Sequence, residues 1–175
     1  MNAEPDLLPI LLVPDPRLRT KAKPVAPGDP RIPALAERML ATMYKAPGIG
    51  LAAPQVGESL RLVVVDLQAE DRREPMVMVN PEVTGASRDL AAREEGCLSL
   101  PGHFAEVTRP AVVKVRWTDL SGARREVEAD GLLAACLQHE IDHLDGVLFV
   151  DHLSALKRNM MLRKFAKEQK AKQRD

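Results

Sequence analysis

The sequence predicts an α+β fold: largely antiparallel sheets packed around a central helix, with one helix N-terminal to them and another C-terminal. Strand-like runs follow one another through the middle of the chain instead of alternating with helices. The last two are joined by a tight Ser121-Gly122 turn, as a hairpin requires. Helical periodicity appears before these strands and twice after them. At 175 residues and 45% hydrophobic composition, a single domain over 1–175 has enough chain to bury a core.

The first apolar run, Leu7 to Val13, is short and contains Pro9, so it suits neither a signal peptide nor a membrane span. From Asp29 to Tyr44, the residues Ile32, Leu35, Ala36, Met39, Leu40 and Met43 recur at helical spacing. Strands are predicted at Leu60–Leu67, Pro75–Val79, Ala111–Trp117 and Arg124–Ala129, with polar connections around Gln68–Glu74 and Gly85–Asp89. The central helix is predicted over Gly131–Leu144. Its apolar positions are Leu132, Leu133, Cys136, Leu137, Ile141 and Leu144, with Asp130 as N-cap and Gly146 as the residue that ends it. Ser154–Asp175, with Leu156, Met160, Met161 and Phe165, reads as a final helix. No internal repeat or low-complexity tract interrupts the chain.

Within the central helix lies His139-Glu140-Ile141-Asp142-His143. Two imidazoles four apart leave one face of a helix together, and converging neutral nitrogens are what a divalent transition metal needs. A glutamate beside them provides a base for the water such a metal activates, so the spacing reads as metal-dependent hydrolysis. The rival is a core helix with two incidental histidines. A catalytic site needs a third ligand, and the extended zinc-protease pattern would place a histidine at position 149. That position is Phe149, and His152 falls three residues too late. The other soft ligand on offer is Cys97, in the segment Glu94-Glu95-Gly96-Cys97-Leu98-Ser99-Leu100-Pro101-Gly102.

Three segments together resemble the peptide deformylase family. They are Gly48-Ile49-Gly50-Leu51-Ala52-Ala53-Pro54-Gln55-Val56-Gly57, Glu95-Gly96-Cys97-Leu98-Ser99, and Gln138-His139-Glu140-Ile141-Asp142-His143-Leu144-Asp145-Gly146. The resemblance implies metal ligation by Cys97, His139 and His143, with Glu140 as acid and base. It implies that Gln55 and the Leu98 N–H polarise a formyl oxygen, and that a formyl group is removed from N-terminal methionine of nascent chains as formate. Gly48, Ile49, Gly50, Leu132 and Cys136 are then expected around the methionine. Gln138 and Asp142 are expected to support the ligands, and a Glu95–Arg109 pair to brace the cysteine loop. Cysteine with two histidines by ligand type alone reads as zinc. The resemblance implies Fe²⁺ instead, with Zn²⁺, Ni²⁺ or Co²⁺ able to substitute.

Gly48-x-Gly50-x-x-Ala53 also fits part of a dinucleotide fingerprint, but a helix precedes it and Pro54 would interrupt any helix after it, so no nucleotide cofactor is expected. The glycines more naturally let a loop approach a peptide. Zero formal net charge argues against a DNA-binding role, and nothing points to a membrane. Only two cysteines occur, and pairing them would consume Cys97, so a reducing cytoplasm is expected. In the tail, Lys157, Arg158, Arg163, Lys164, Lys167, Lys170, Lys172 and Arg174 face only Glu168 and Asp175. Such a run is usually a solvated face, and contact with ribosomal RNA phosphates is the functional alternative. A zinc endopeptidase and an inert metal-stabilised binding module remain as competing readings.

Overall fold

A computed structural model describes residues 5–174. In chain order its main elements are α1 (Ile32–Lys45), β1 (Gly50–Ala52), β2 (Leu62–Val65), β3 (Met76–Ala86), β4 (Leu90–Cys97), β5 (Leu100–Pro110), β6 (Val113–Thr118), β7 (Arg124–Ala129), α2 (Gly131–Leu144) and α3 (Ala155–Arg174). Five strands form one sheet in the order β1-β2-β3-β6-β7, and β4 and β5 form a separate two-stranded sheet. All these pairings are antiparallel, in an α+β arrangement.

The sheet has an apolar layer on each face, which explains the unbroken run Leu62-Val63-Val64-Val65, fully buried throughout. Because side chains alternate across a strand, Val63 and Val65 join Leu137, Ile141 and Leu144 of α2 on one face. Leu62 and Val64 join Ile32, Met39 and Met43 of α1 on the other. Each such side chain contributes about 1.5–3 kcal/mol by leaving water. α2 therefore lies against a rigid apolar floor, with its other side free to face β4, β5 and a cleft.

α1 begins three residues later than the periodicity predicts. The Asp29 carboxylate accepts from the Arg31 backbone N–H at 3.0 Å and pairs with its guanidinium, holding the preceding turn outside the helix. At the start of α2, Asp130 occupies the cap position, but its side chain makes no capping hydrogen bond. The cause is Gly131, whose φ of +55° turns the chain away from the usual capping geometry. Gly146 behaves as predicted. Its φ is +75°, its N–H donates to His143 O at 3.1 Å, and the Val147 N–H donates to Asp142 O at 3.0 Å, closing the helix.

The predicted strands at Leu60–Leu67, Ala111–Trp117 and Arg124–Ala129 correspond to β2, β6 and β7, while β3 runs on to Ala86 past its predicted end. β1 and β4 went unpredicted, and of β5 the family resemblance implies only a substrate-lining strand over Gly102–Glu106. β4 and β5 turn polar residues inward among apolar ones, Glu95, His103 and Arg109 being buried beside Leu100 and Val107, so the apolar alternation is broken. The third core cluster covers this small sheet, joining Leu100 and Val107 to Leu18, Phe149, Val150 and Phe165 of α3. Asp175, the expected last residue of the final helix, lies outside the described residues. No helix among the described residues is long and apolar enough to cross a membrane.

Candidate metal centre and substrate cleft

α2 presents His139 and His143 one turn apart, with ring centroids 5.1 Å from each other. The tight turn between β4 and β5, Leu98-Ser99, brings Cys97 over them, its Sγ 3.4 Å from His143 Nε2. One donor atom from each of Cys97, His139 and His143 lies within 4.8 Å of the other two. A four-coordinate ion with bonds of about 2.0–2.3 Å keeps its ligands about 3.3–3.8 Å apart, so small side-chain adjustments close this set around one cation. The cage is also electrically incomplete. His143 Nδ1 and Glu140 Oε1 are buried without a hydrogen-bond partner among the described residues, and the donors are a thiol and two imidazoles. These residues fit a transition metal.

Glu95 and Arg109 orient the first histidine. Arg109 grips the Glu95 carboxylate through Nε at 2.7 Å and a terminal nitrogen at 2.9 Å, and Glu95 Oε1 meets His139 Nδ1 at 3.0 Å. Burial pushes the Glu95 carboxyl up, but its hydrogen bonds to Arg109 and His139 prevail and hold it at about 2. An ionised Glu95 holds a proton on His139 Nδ1 and leaves Nε2 as the ring nitrogen available to a metal. Burial lowers the His139 pKa, yet the Glu140 charge and the contacts with Cys97 and Glu95 outweigh it and raise it well above the usual value. Burial and the neighbouring His139 charge drive His143 well below it.

Gln55 reaches the same point from the other side. Its Oε1 accepts from the Ala52 N–H at 2.9 Å, which forces Nε2 toward Ser99 Oγ at 3.1 Å and Cys97 Sγ at 3.6 Å. A cleft of about 710 Å³ opens over this arrangement, lined by Gly48, Ile49, Gly50, Gln55, Cys97, Leu98, Leu132, Cys136, His139 and Glu140 among others. Every site residue expected from the sequence is therefore on its wall, except His143, which is 1% exposed and lies beneath. Cys136 Sγ sits 3.9 Å from Ile49 O, and burial pushes its thiol up, so it stays a neutral wall.

Gly48 lies in a loop as expected, whereas Gly50 begins β1 and pairs with Val65. Their lack of side chains also serves the other two motifs. A Cβ at Gly50 would collide with Glu140 Oε2, and one at Gly48 would meet Leu98 Cδ1 at 2.9 Å. Gln138 donates to Pro110 O and Ala134 O rather than to an imidazole, and Asp142 bonds Arg109 and His152, so Glu95 does the work expected of them on His139. Burial raises the Glu140 carboxyl to about 7.

The polypeptide deformylase family model matches residues 7–159. The chain belongs to the polypeptide deformylase family. A peptide deformylase of Rhodopseudomonas palustris (strain BisB5) is 54% identical over 164 residues, covering 92% of this chain and 94% of that protein. One from Zymomonas mobilis is 52% identical over 172 residues, with 95% and 97% covered. The crystal structure of a Legionella pneumophila peptide deformylase superimposes with a TM-score of 0.90 at 47% identity, over 97% of this chain and 99% of that one. Peptide deformylases are metal-dependent hydrolases that remove the N-formyl group from nascent polypeptides, and that is the activity of this chain. The endopeptidase alternative falls with it, and Phe149 shows why: its ring stacks on His139, 6.0 Å between centroids and 22° between planes, where that class needs a ligand.

Some residues of the site escaped the sequence reading. Ser99, fully buried behind the cleft, lay inside a quoted motif, but its bond to Gln55 spans 44 positions. Arg93, Phe104 and Ala135 line the cleft itself, Phe104 being 61% exposed at its mouth. Arg93 and Phe104 lie on β4 and β5, which carried no periodic strand signal.

Proposed function

We propose that Cys97, His139 and His143 hold Fe²⁺ as the native ion, with Zn²⁺, Ni²⁺ or Co²⁺ able to replace it. A thiolate with two imidazoles suits any of these, and availability decides occupancy. When bound, the ion supplies Lewis acidity, polarising a carbonyl and making a water acidic near neutral pH. Glu140 accepts the proton of the attacking water and returns it to the departing amine, a double task suited to a carboxyl near 7. Gln55 Nε2 and the Leu98 N–H donate to the formyl oxygen as negative charge builds there. Ile49, Leu132 and Cys136, with Gly48 and Gly50, receive the methionine side chain, and formate and a free N-terminus leave. The observation that carries this assignment is the convergence of three motifs, far apart in sequence, on one cleft.

Two free thiols fit a reducing cytoplasm as the place of action. The basic face of α3 docks on ribosomal RNA near the emerging substrate. Formate release from a formyl-Met peptide, set against internal cleavage of an unformylated peptide, tests the activity. Elemental analysis tests the ligands: Cys97→Ala should lose both metal and turnover, and full metal content in that variant would overturn the assignment. Anaerobic purification should yield iron whose activity decays in air, because thiolate and Fe²⁺ both oxidise. Equal lifetimes for the iron and nickel forms under oxygen would refute Fe²⁺ as the labile native ion.

A further inference from the structure

A chain of contacts leads from the first histidine to the protein surface. Glu95 links His139 to Arg109, and Arg109 turns its other terminal nitrogen to Asp142 Oδ2 at 2.9 Å. Asp142 Oδ2 in turn meets His152 Nε2 at 2.8 Å. Glu95 and Arg109 are buried, whereas the Asp142 and His152 side chains are 28% and 35% exposed. His152 closes the 3₁₀ turn Phe149–His152, whose first residue is the ring stacked on His139. One four-residue turn thus touches the ligand directly and also holds the outer end of the network that orients it.

We propose that His152 is a positioning residue for the metal site. This rests on the assignment of Cys97, His139 and His143 as ligands. A carboxylate oxygen only accepts, so His152 Nε2 carries the proton and donates it to Asp142. Arg109 and His152 therefore converge on the same oxygen as two donors and are not bonded to each other at their 3.5 Å separation. Without His152, the part-exposed Asp142 turns toward water and Arg109 loses its second anchor. Arg109 then holds Glu95 less firmly, and His139 Nδ1 loses its fixed acceptor. Removing a group in direct contact with a ligand costs about 10–100-fold in metal affinity or activity, and His152 acts through two further links, so an effect of about 3–10-fold on metal retention is expected.

The test compares wild type with His152→Phe, which keeps a ring but removes the donor, and His152→Gln, which restores an N–H near the same place. Each is loaded with Ni²⁺ and its metal release to excess chelator is timed. The His139 Nδ1–H resonance is followed by NMR in the Zn²⁺ form. His152→Phe should release metal about 3–10-fold faster and shift that resonance, and His152→Gln should return both to within about twofold of wild type. Should His152→Phe not fold, His152→Ala supplies the donor-free comparison. Wild-type release from the donor-free variant, or equal loss in Phe and Gln variants, would overturn the proposal. Cys97→Ala measured alongside separates the two levels: if it retains metal like wild type, the ligand assignment itself fails.

Discussion

Gly50→Ala isolates the approach between the first motif and the acid/base carboxylate. The backbone tolerates alanine there, because Gly50 is not among the positive-φ residues, and its pairing with Val65 needs no glycine. The new methyl would collide with Glu140 Oε2 and lie 2.9 Å from both Cδ and Cγ of that side chain. Carbon contacts settle near 3.5–4.0 Å, so the carboxylate must retreat by roughly 0.5–1 Å. A displacement of about 1 Å at a reacting group costs about 10²-fold, equivalent to ~2.7 kcal/mol of barrier. The three nearest atoms all belong to Glu140 and none to Cys97, His139 or His143, so metal content should stay whole. The assay is formate release from a formyl-Met peptide, with metal content and Tm measured on the same preparation. Gly48→Ala is the internal control, since the atoms nearest its methyl are the flexible end of Leu98 and it should cost less. Gly50→Ala within threefold of wild type, fully metallated, would refute the reasoning.

Glu140→Gln should retain metal while kcat falls by about 10²–10⁴ or more; near-wild-type formate release would mean that another group is the base. Without metal, that carboxyl binds its proton up to about 7 instead of the ordinary 4.5, so the folded state holds more protons than the unfolded one between those values. Metal-free wild type should therefore lose more stability than metal-free Glu140→Gln as pH rises from 5 to 8, both carrying the opposed contributions of His139 and His143, as denaturant titration will read. Glu95 has the opposite sign. Held at about 2, it contributes stability above its ordinary value of 4.5 that disappears as pH falls through about 2. Glu95→Gln should lose about 3 kcal/mol at pH 7, flatten the acid limb, and release metal about 10–100-fold faster; an unchanged acid transition would contradict this. Removing the chain after Phe165 should spare turnover of short peptides but weaken salt-sensitive co-sedimentation with ribosomes. It also deletes Glu168, whose Oε2 lies 2.7 Å from His103 Nε2. Undiminished co-sedimentation at low salt would refute the docking role of α3.

The sequence by itself determined what depends on short separations. Two histidines four apart share a face of any helix, so α2 and its ligand pair were readable from spacing, as were the Gly146 terminus and the Ser121-Gly122 turn. The apolar run at Leu62–Val65 announced a strand because both its faces are buried. Cys97 lies 46 positions from His143, and Gln55 lies 42 from Cys97, so periodicity could not join them and a family resemblance had to. Only the tertiary structure decided that β4 exists and how far β5 runs, because Glu95 and Arg109 face inward and satisfy each other, interrupting any apolar stripe. It also decided that Glu95, not Asp142, fixes His139, and that Gly50 leaves room for Glu140. Those are contacts between distant segments, and local backbone preference carries no record of which side chain a fold will set against another.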